Sequence, residues 1–243
     1  MNNIFERSIG LLGEDNFNLI QQKVIAVFGL GGVGGTALEA LARTGFRHFI
    51  LVDFDKVDAS NLNRQILYTQ KDIGRNKVDA AKDRILSINP DCEIQTILAK
   101  AQDFDSNQPI DFIVDAIDDV DGKLFLLRLA QENNIPQIMS LGMANRFECE
   151  DVHVTKLNKT HSDPLAKKVR YLVKKSGLEV GNVNVVISEE IPQKNAEKLY
   201  STMIVPSCAG LTIAKYILNS IIDNKWNKEG TYYGKHFRCR KND

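Results

Sequence analysis

The stretch FDKVDASNLNRQILYTQKDIGRNK, residues 54–77, gathers three acids, three asparagines, two arginines and three lysines within 24 positions. Just upstream, Gly29-Leu30-Gly31-Gly32-Val33-Gly34 has the spacing G-x-G-x-x-G between a strand-like and a helix-like run. Glycines let a phosphate approach the backbone, and the start of the next helix offers N–H donors and a partial positive charge. Asp53 ends the following strand, where an acid can accept hydrogen bonds from ribose hydroxyls. The same glycines also suit a tight turn with no ligand. The strand–loop–helix context and the acid beyond it favour a nucleotide.

The glycine loop alone favours NAD or FAD. A nicotinamide pocket has little use for clustered cations, whereas transfer at phosphorus needs donors preorganised around the charge shifted onto the leaving oxygens. Arg64 and Lys77 are the candidate cations. Read alone, they would be solvated charges on a surface loop; the glycine loop and Asp53 beside them favour chemistry. In VDAIDDV, Asp118 or Asp119 suits a helix N-cap. Asp118, with Asp115 as its support, also suits a carboxylate holding Mg²⁺ among phosphates.

These side chains need a scaffold, and the first half alternates strand and helix signals, as a parallel sheet with covering helices does. Strands are expected over 23–30, 48–55, 92–100, 109–118 and 136–142, and helices over 33–45, 77–89 and 123–134. The second half adds strands at VHVTKL and VNVVISEE around a helix in SDPLAKKVRYLVKKSG, with Asp163 as N-cap and Pro164 in its first position. A last amphipathic helix covers 209–222, and the tail from Lys225 is expected to fray. The predicted class is α/β: a Rossmann-like, mostly parallel sheet with helices on both faces. Residues 1–145 are expected to form the nucleotide-binding part. Residues 146–243 form a smaller irregular α/β part completing the same domain.

Composition sets further bounds. The 243 residues are 43% hydrophobic and 26% charged, with 31 basic and 31 acidic side chains, so net charge points to no polyanionic partner. The basic residues are unevenly spread. Lys156, Lys159, Lys167, Lys168, Arg170, Lys174 and Lys175 share a short segment with only Asp163 to oppose them. That is either a solvated helix face or a footprint for nucleic-acid phosphates. No signal peptide is evident, and no apolar run approaches the ~18 residues of a membrane span. Cys92, Cys149, Cys208 and Cys239 form no C-x-x-C pair, which argues against a zinc knuckle and a disulfide scaffold. A reducing cytoplasm is the simplest setting, with Cys208 a buried core thiol rather than a nucleophile. His48, His153, His161 and His236 are scattered, and His161 alone lies beside the basic segment.

GLGGVGG, VDFDKVDASNLNRQ, IGRNK and VDAIDDV together resemble the ATP-dependent adenylating enzymes related to ubiquitin-activating enzymes, over about residues 5–145. The resemblance implies phosphate contacts from Gly31, Gly32, Asn61, Arg64 and Lys77, ribose contact from Asp53, and magnesium on Asp118. Gly29, Gly34, Asp55, Asn63 and Gln65 complete the implied ATP-binding set, so the resemblance makes residues 1–145 an ATP-binding, adenylating part. Arg7, in IFERSIG, matches an N-terminal arginine that such enzymes extend into the partner subunit's site, so a homodimer with ATP sites completed in trans is implied. The paired zinc cysteines of sulfur-carrier activators are absent, and no zinc is expected.

In the second half, INPDCEI, NRFE, TKLNKTHSDPLAKKVRYLVKKSG and VVISEE are similar to the tRNA threonylcarbamoyladenosine dehydratase branch of that family. The branch implies adenylation of the threonylcarbamoyl carboxylate on tRNA beside the anticodon, then cyclisation with loss of AMP. Lys159, His161, Lys167, Lys168, Arg170 and Lys174 become the candidate tRNA contacts. LGMANRFE departs from the branch's glycine-richer version. Two alternatives stand: adenylation of a ubiquitin-like sulfur carrier's C-terminal glycine, and a nicotinamide-dependent oxidoreductase. A monovalent cation and a sulfur-transfer partner are left open.

Overall fold

A computed structural model describes residues 4–105, 109–161, 163–193 and 199–222. The tail expected to fray, with His236 and Cys239, lies outside them. Two short helices open the described chain, α1 (Glu6–Leu12) and α2 (Glu14–Gln21), joined at Gly13 with φ of 78°. Sequence periodicity did not anticipate them, because α1 buries only Leu12 and α2 only Phe17 and Ile20.

The alternating pattern then appears as expected: β1 (Val24–Phe28), α3 (Gly32–Thr44), β2 (His48–Val52), α4 (Lys77–Ile88), β3 (Glu93–Ile97), β4 (Phe112–Asp115), α5 (Val120–Glu132) and β5 (Gln137–Ser140). The remainder supplies β6 (Val152–Lys156), α6 (Pro164–Lys175), β7 (Asn184–Ser188) and α7 (Ile204–Ile221). Among the described residues, one sheet of seven strands runs β3-β2-β1-β4-β5-β7-β6. Every pairing is parallel except β6 with β7. Because β5 bonds to β7, the carboxyl-terminal strands extend the same sheet.

Period-2 alternation sends side chains to two covered faces. Ile25, Val27, Phe112, Val114, Ile138 and Val186 pack with Leu38 and Leu41 of α3, Ile85 of α4 and Ile213 and Ile217 of α7. On the other face, Ala26, Phe28 and Ile113 meet Leu126 and Leu129 of α5. Met139, Val185 and Ile187 meet Val169 and Val173 of α6. Asp163 caps α6 by accepting the Ala166 N–H at 2.8 Å, with Pro164 at the helix start.

Two boundaries differ from expectation for clear reasons. α5 begins at Val120, three residues early, because Asp119 accepts the Gly122 N–H at 2.8 Å and caps it. α7 begins at Ile204 rather than 209, with Pro206 in its first turn, where a proline's missing N–H costs nothing. By length and composition α7 could cross a membrane; here Val205, Ala209, Ile213 and Ile217 are buried.

The α3–α7 contact is close enough to require glycine. A Cβ on Gly210 would lie 2.6 Å from the Val33 carbonyl oxygen and 2.7 Å from Thr36 Cβ. Gly210→Ala is therefore expected to destabilise the protein by about 1–3 kcal/mol. Gly10→Ala, in α1 with nothing within 4 Å of the new methyl, should be neutral or stabilise by about 0.5–1 kcal/mol. Urea unfolding of the two variants checks the contrast.

Candidate nucleotide site

The strand order reverses between β1 and β4, and in open α/β sheets ligands sit in the crevice at such a point, beyond the strands' carboxyl ends. The loop after β1 and the loop after β4 meet there through backbone alone. Gly29 has φ of 85°, and a Cβ on it would sit 2.6 Å from the Ala116 carbonyl oxygen. A Cβ on Gly34 would lie 1.9 Å from the Gly29 carbonyl oxygen, so no side chain fits. Among the described residues no side chain caps α3, whose N-cap is Gly31. An anion can approach those free N–H groups and the positive end of the helix.

Asp53 is buried at the end of β2. Its Oδ2 accepts the Leu30 N–H at 2.7 Å and its Oδ1 the Asp55 N–H at 2.8 Å, so it holds the glycine loop in place. Burial pushes its carboxyl above the ordinary range, opposed by the Lys77 charge and the two backbone donors. Each oxygen keeps a lone pair able to accept a ribose hydroxyl.

Residues 54–77 fold into a closed loop. Its ends pair through Val57 N–H to the Arg75 carbonyl at 2.8 Å, Gly74 N–H to the Val57 carbonyl at 2.8 Å, and Lys77 N–H to the Asp55 carbonyl at 3.0 Å. Its middle leans on the glycine loop: the buried Tyr68 hydroxyl donates to the Leu30 carbonyl at 2.9 Å. Burial, reinforced by Asp53, Asp55 and Asp72, pushes that phenol far above its ordinary pKa, so it remains a donor. Arg64 lies against the glycine loop, its Cγ 3.7 Å from where a Gly32 Cβ would be; its guanidinium donates to the Ser60 carbonyl and Asn63 Oδ1. The Gln65 amide nitrogen is 3.9 Å from the corresponding point on Gly31, and its buried Oε1 has no hydrogen-bond partner among the described residues.

Lys77 is nearly buried and ion-pairs with Asp55 at 2.7 Å. Asn61 Oδ1 accepts the Asp58 N–H and closes a capping box, while Asn63 donates to the Ser201 carbonyl at 2.9 Å. Asn61 and Asn63 are thus partly committed to holding the loop.

Past β4, the capping duty expected of Asp118 or Asp119 falls to Asp119. Asp119 caps α5; burial would raise its carboxyl, but donors including Gly122 and Gln102 outweigh this and hold it below the usual range. Asp118 is exposed and has no hydrogen bond or ion pair among the described residues. No cluster of three His, Cys, Asp or Glu is present among the described residues. A divalent ion at Asp118 would draw its other ligands from nucleotide oxygens, as Mg²⁺ commonly does.

Asp115 does not act as the support expected for Asp118. It is fully buried and ion-paired at 2.7 Å with the equally buried Lys123, which also donates to the Ser140 carbonyl at 2.8 Å. Lys123 was missed by sequence reasoning, although a lysine four residues before Leu127 and seven before Ala130 lies on the buried stripe of α5. Burial pushes the Asp115 carboxyl up, and Lys123 opposes the shift. The buried Arg146, also missed, pairs with Asp163 at 3.1 Å and donates to the Ser188 and Glu190 carbonyls. Burial lowers its pKa and Asp163 counters this.

That Arg146–Asp163 pair, together with Gly142 beside Asp163, places the start of α6 at the sheet's carboxyl edge, the edge of the glycine loop. Lys159, His161, Lys167, Lys168, Lys174 and Lys175 are exposed, and no ion pair involves them among the described residues. Arg170 differs from expectation, because it bonds to the carbonyl and hydroxyl of Thr160 and braces α6. Cys208 is not a buried thiol: it is half-buried and disulfide-bonded to Cys149, a pairing that separation in sequence concealed. Cavities of about 400 Å³ beside α1 and α2, and about 600 Å³ at the amino ends of β5 and β7, lie away from the glycine loop.

Comparison with known proteins extends this geometry. The model of the ThiF family matches residues 5–235. A tRNA threonylcarbamoyladenosine dehydratase of Bacillus subtilis is 34% identical over 242 residues, covering 90% of this chain and 94% of the relative. The crystal structure of the Escherichia coli tRNA N6-threonylcarbamoyladenosine dehydratase in complex with AMP matches with a TM-score of 0.84 at 30% identity, over 90% of this chain and 93% of that one. The same enzyme in complex with ATP matches with a TM-score of 0.83.

Removing the cation from the Asp115–Lys123 pair strands a buried carboxylate. Lys123→Met should cost about 3–5 kcal/mol at neutral pH. Asp115 has a raised folded pKa, so its charged form penalises the native state increasingly as pH rises through that value. The deficit of the variant should accordingly shrink as pH falls through the Asp115 pKa. Denaturant unfolding of both proteins over a pH series measures this.

Proposed function

The chain belongs to the ThiF family, and from that premise we propose that it is an ATP-dependent tRNA threonylcarbamoyladenosine dehydratase. One observation carries the reading: a glycine-rich helix start that no side chain caps among the described residues lies beside Arg64 at the edge of the β1–β4 crevice, in a chain alike over nearly its full length to a dehydratase crystallised with AMP and with ATP.

ATP lies with its phosphates along Gly29, Gly31, Gly32 and Gly34 and its ribose at Asp53. A carboxylate oxygen of the threonylcarbamoyl group attacks the α-phosphorus, and pyrophosphate departs. Arg64 takes up the charge shed onto it, with Lys77 exchanging Asp55 for a phosphate oxygen. Asn61 and Asn63 hold the loop that presents these cations, and Gln65, beside Gly31, keeps its amide for the nucleotide. Asp118 would hold Mg²⁺, which when bound supplies additional positive charge at the phosphates. The acyl adenylate then makes AMP the leaving group, and a nitrogen or oxygen of the same modified side chain attacks the carbonyl and closes the ring. Holding both groups in one pocket makes this step effectively intramolecular.

The site is completed by a second copy. Arg7 is exposed on α1 without a hydrogen bond or ion pair among the described residues, and Ile4 and Leu11 beside it expose apolar surface. A homodimer that buries this surface carries Arg7 into the neighbouring site. Residues 146–243 supply the tRNA-binding part: Lys167 and Lys168 are exposed in the first turns of α6, which starts at the sheet's carboxyl edge, and Lys159, His161 and Lys174 are exposed in the same region. Arg170 orders that surface through Thr160.

The decisive measurement is mass spectrometry of tRNA nucleosides from cells lacking this protein, where the threonylcarbamoyl nucleoside should be heavier by one water. ATP–pyrophosphate exchange should respond to modified tRNA; a response only to a ubiquitin-like carrier would reverse the assignment. Arg64→Ala should lower kcat by about 10²–10³. Arg7→Ala should also be inactive, and an equal mixture with Arg64→Ala should recover about a quarter of wild-type activity, since each mixed dimer has one intact site. No recovery would mean that Arg7 acts in cis or not at all. Replacing Lys167 and Lys168 by Ala should weaken tRNA binding and flatten the log–log salt dependence by up to ~2.

A further inference from the structure

We infer that Cys149 and Cys208 form a reversible thiol–disulfide site that couples the phosphate-binding loop to the segment anchoring the basic helix. Both residues are half-buried, so the pair is open to a small reagent, unlike Cys92, whose thiol burial pushes up to about 11.

The two ends join different machinery. Cys208 belongs to α7 two residues after Pro206, whose Cβ would be 3.1 Å from a Cβ on Gly32. Ser207 Oγ lies 3.4 Å from Thr36 Oγ1, and Thr36 in turn donates to the Gly32 carbonyl at 2.8 Å. The amino-terminal turns of α7 thus form the wall behind the uncapped start of α3. Cys149 ends a segment in which nearly every residue is tied down. Asn145 N–H donates to the Tyr200 carbonyl, and Asn145 Oδ1 accepts the Tyr200 N–H. Arg146 holds the cap of α6, and the N–H groups of Phe147 and Glu148 both donate to the Glu190 carboxylate.

The disulfide therefore bridges the wall of the nucleotide loop and the hub from which α6 departs. Reduction is balanced by a dithiol. Its thiolate attacks one sulfur and the Cys149–Cys208 bond breaks. The second thiol of the reagent then displaces the mixed disulfide, leaving two cysteine thiols and an oxidised reagent. Losing this tether leaves the first turn of α7 held by its packing on α3 alone, so the wall beside Gly32 and Thr36 is less firmly fixed. In a compartment kept reducing, a surviving pair of this kind is typically a redox-responsive one.

The coupling to ATP rests on the nucleotide reading above, so the test includes two readouts independent of it. Wild-type protein is compared after a mild thiol oxidant and after dithiothreitol, with the Cys149→Ser/Cys208→Ser double variant as the permanently open form. Alkylation under denaturing conditions should label two more thiols after reduction. Hydrogen exchange of the peptide covering 29–38 should quicken on reduction, and the double variant should match the reduced protein in both redox conditions. ATP should bind about fivefold or more weakly to the reduced form, the lower range for coupled sites. An unchanged thiol count overturns the site, and exchange that ignores redox state, or ATP binding that is measurable and ignores it, overturns the coupling. Quickened exchange in a protein that binds no ATP in either state would sustain the coupling and overturn the nucleotide reading instead.

Discussion

The architecture hinges on a backbone-to-backbone contact at the point where the sheet reverses direction. Gly29 touches the Ala116 carbonyl and Gly34 the Gly29 carbonyl, at separations where a methyl group would collide. This brings the ends of β1 and β4 together with the start of α3. The exposed Asp118 lies two residues beyond Ala116. A larger residue at either glycine would displace the helix start and Asp118 together. The same crowding that forbids side chains leaves N–H groups open to an anion, so packing and binding have one cause.

Around that contact, buried polar groups serve as fasteners. Asp53 binds two backbone N–H groups, Tyr68 binds the Leu30 carbonyl, and Asp115 with Lys123 joins the ends of β4 and β5 to α5. Such groups are expensive to bury and specific in what they accept, which suits holding loops rather than adding net stability. At the same edge Asp118 is exposed and Arg64 half-buried, and neither is ion-paired among the described residues, so both keep charge for a ligand. Lys77 is intermediate: buried along its stem and matched to Asp55, it has a partner to exchange.

The second half contributes position as much as chemistry. Arg146 and Asp163 tie the segment after β5 to the start of α6, so the exposed lysines of that helix run back from the sheet's carboxyl edge. Arg170 braces the helix at Thr160. The Cys149–Cys208 link adds a covalent connection between this region and α7.

Much of this was legible from the chain. Short β-branched runs alternating with 3.6-period stripes gave the order of strands and helices from β1 to α7, and glycine spacing with Asp53 pointed to the crevice between β1 and β4. Local signals suffice there, because helix caps and strand alternation depend on neighbouring residues. α1 and α2 were not legible, since each buries too few residues to leave a period. Lys123 and Arg146 read as ordinary charges, because their partners are Asp115 with Ser140 and Asp163 with Ser188, which only folding brings near. Nor did sequence show that Asp119 would cap α5 and leave Asp118 exposed, or that Cys208 would meet Cys149. Sequence determined which residues could bind, bend or bury; tertiary structure decided which of them were already committed, because a side chain's partner across the fold is set by packing and not by its neighbours along the chain.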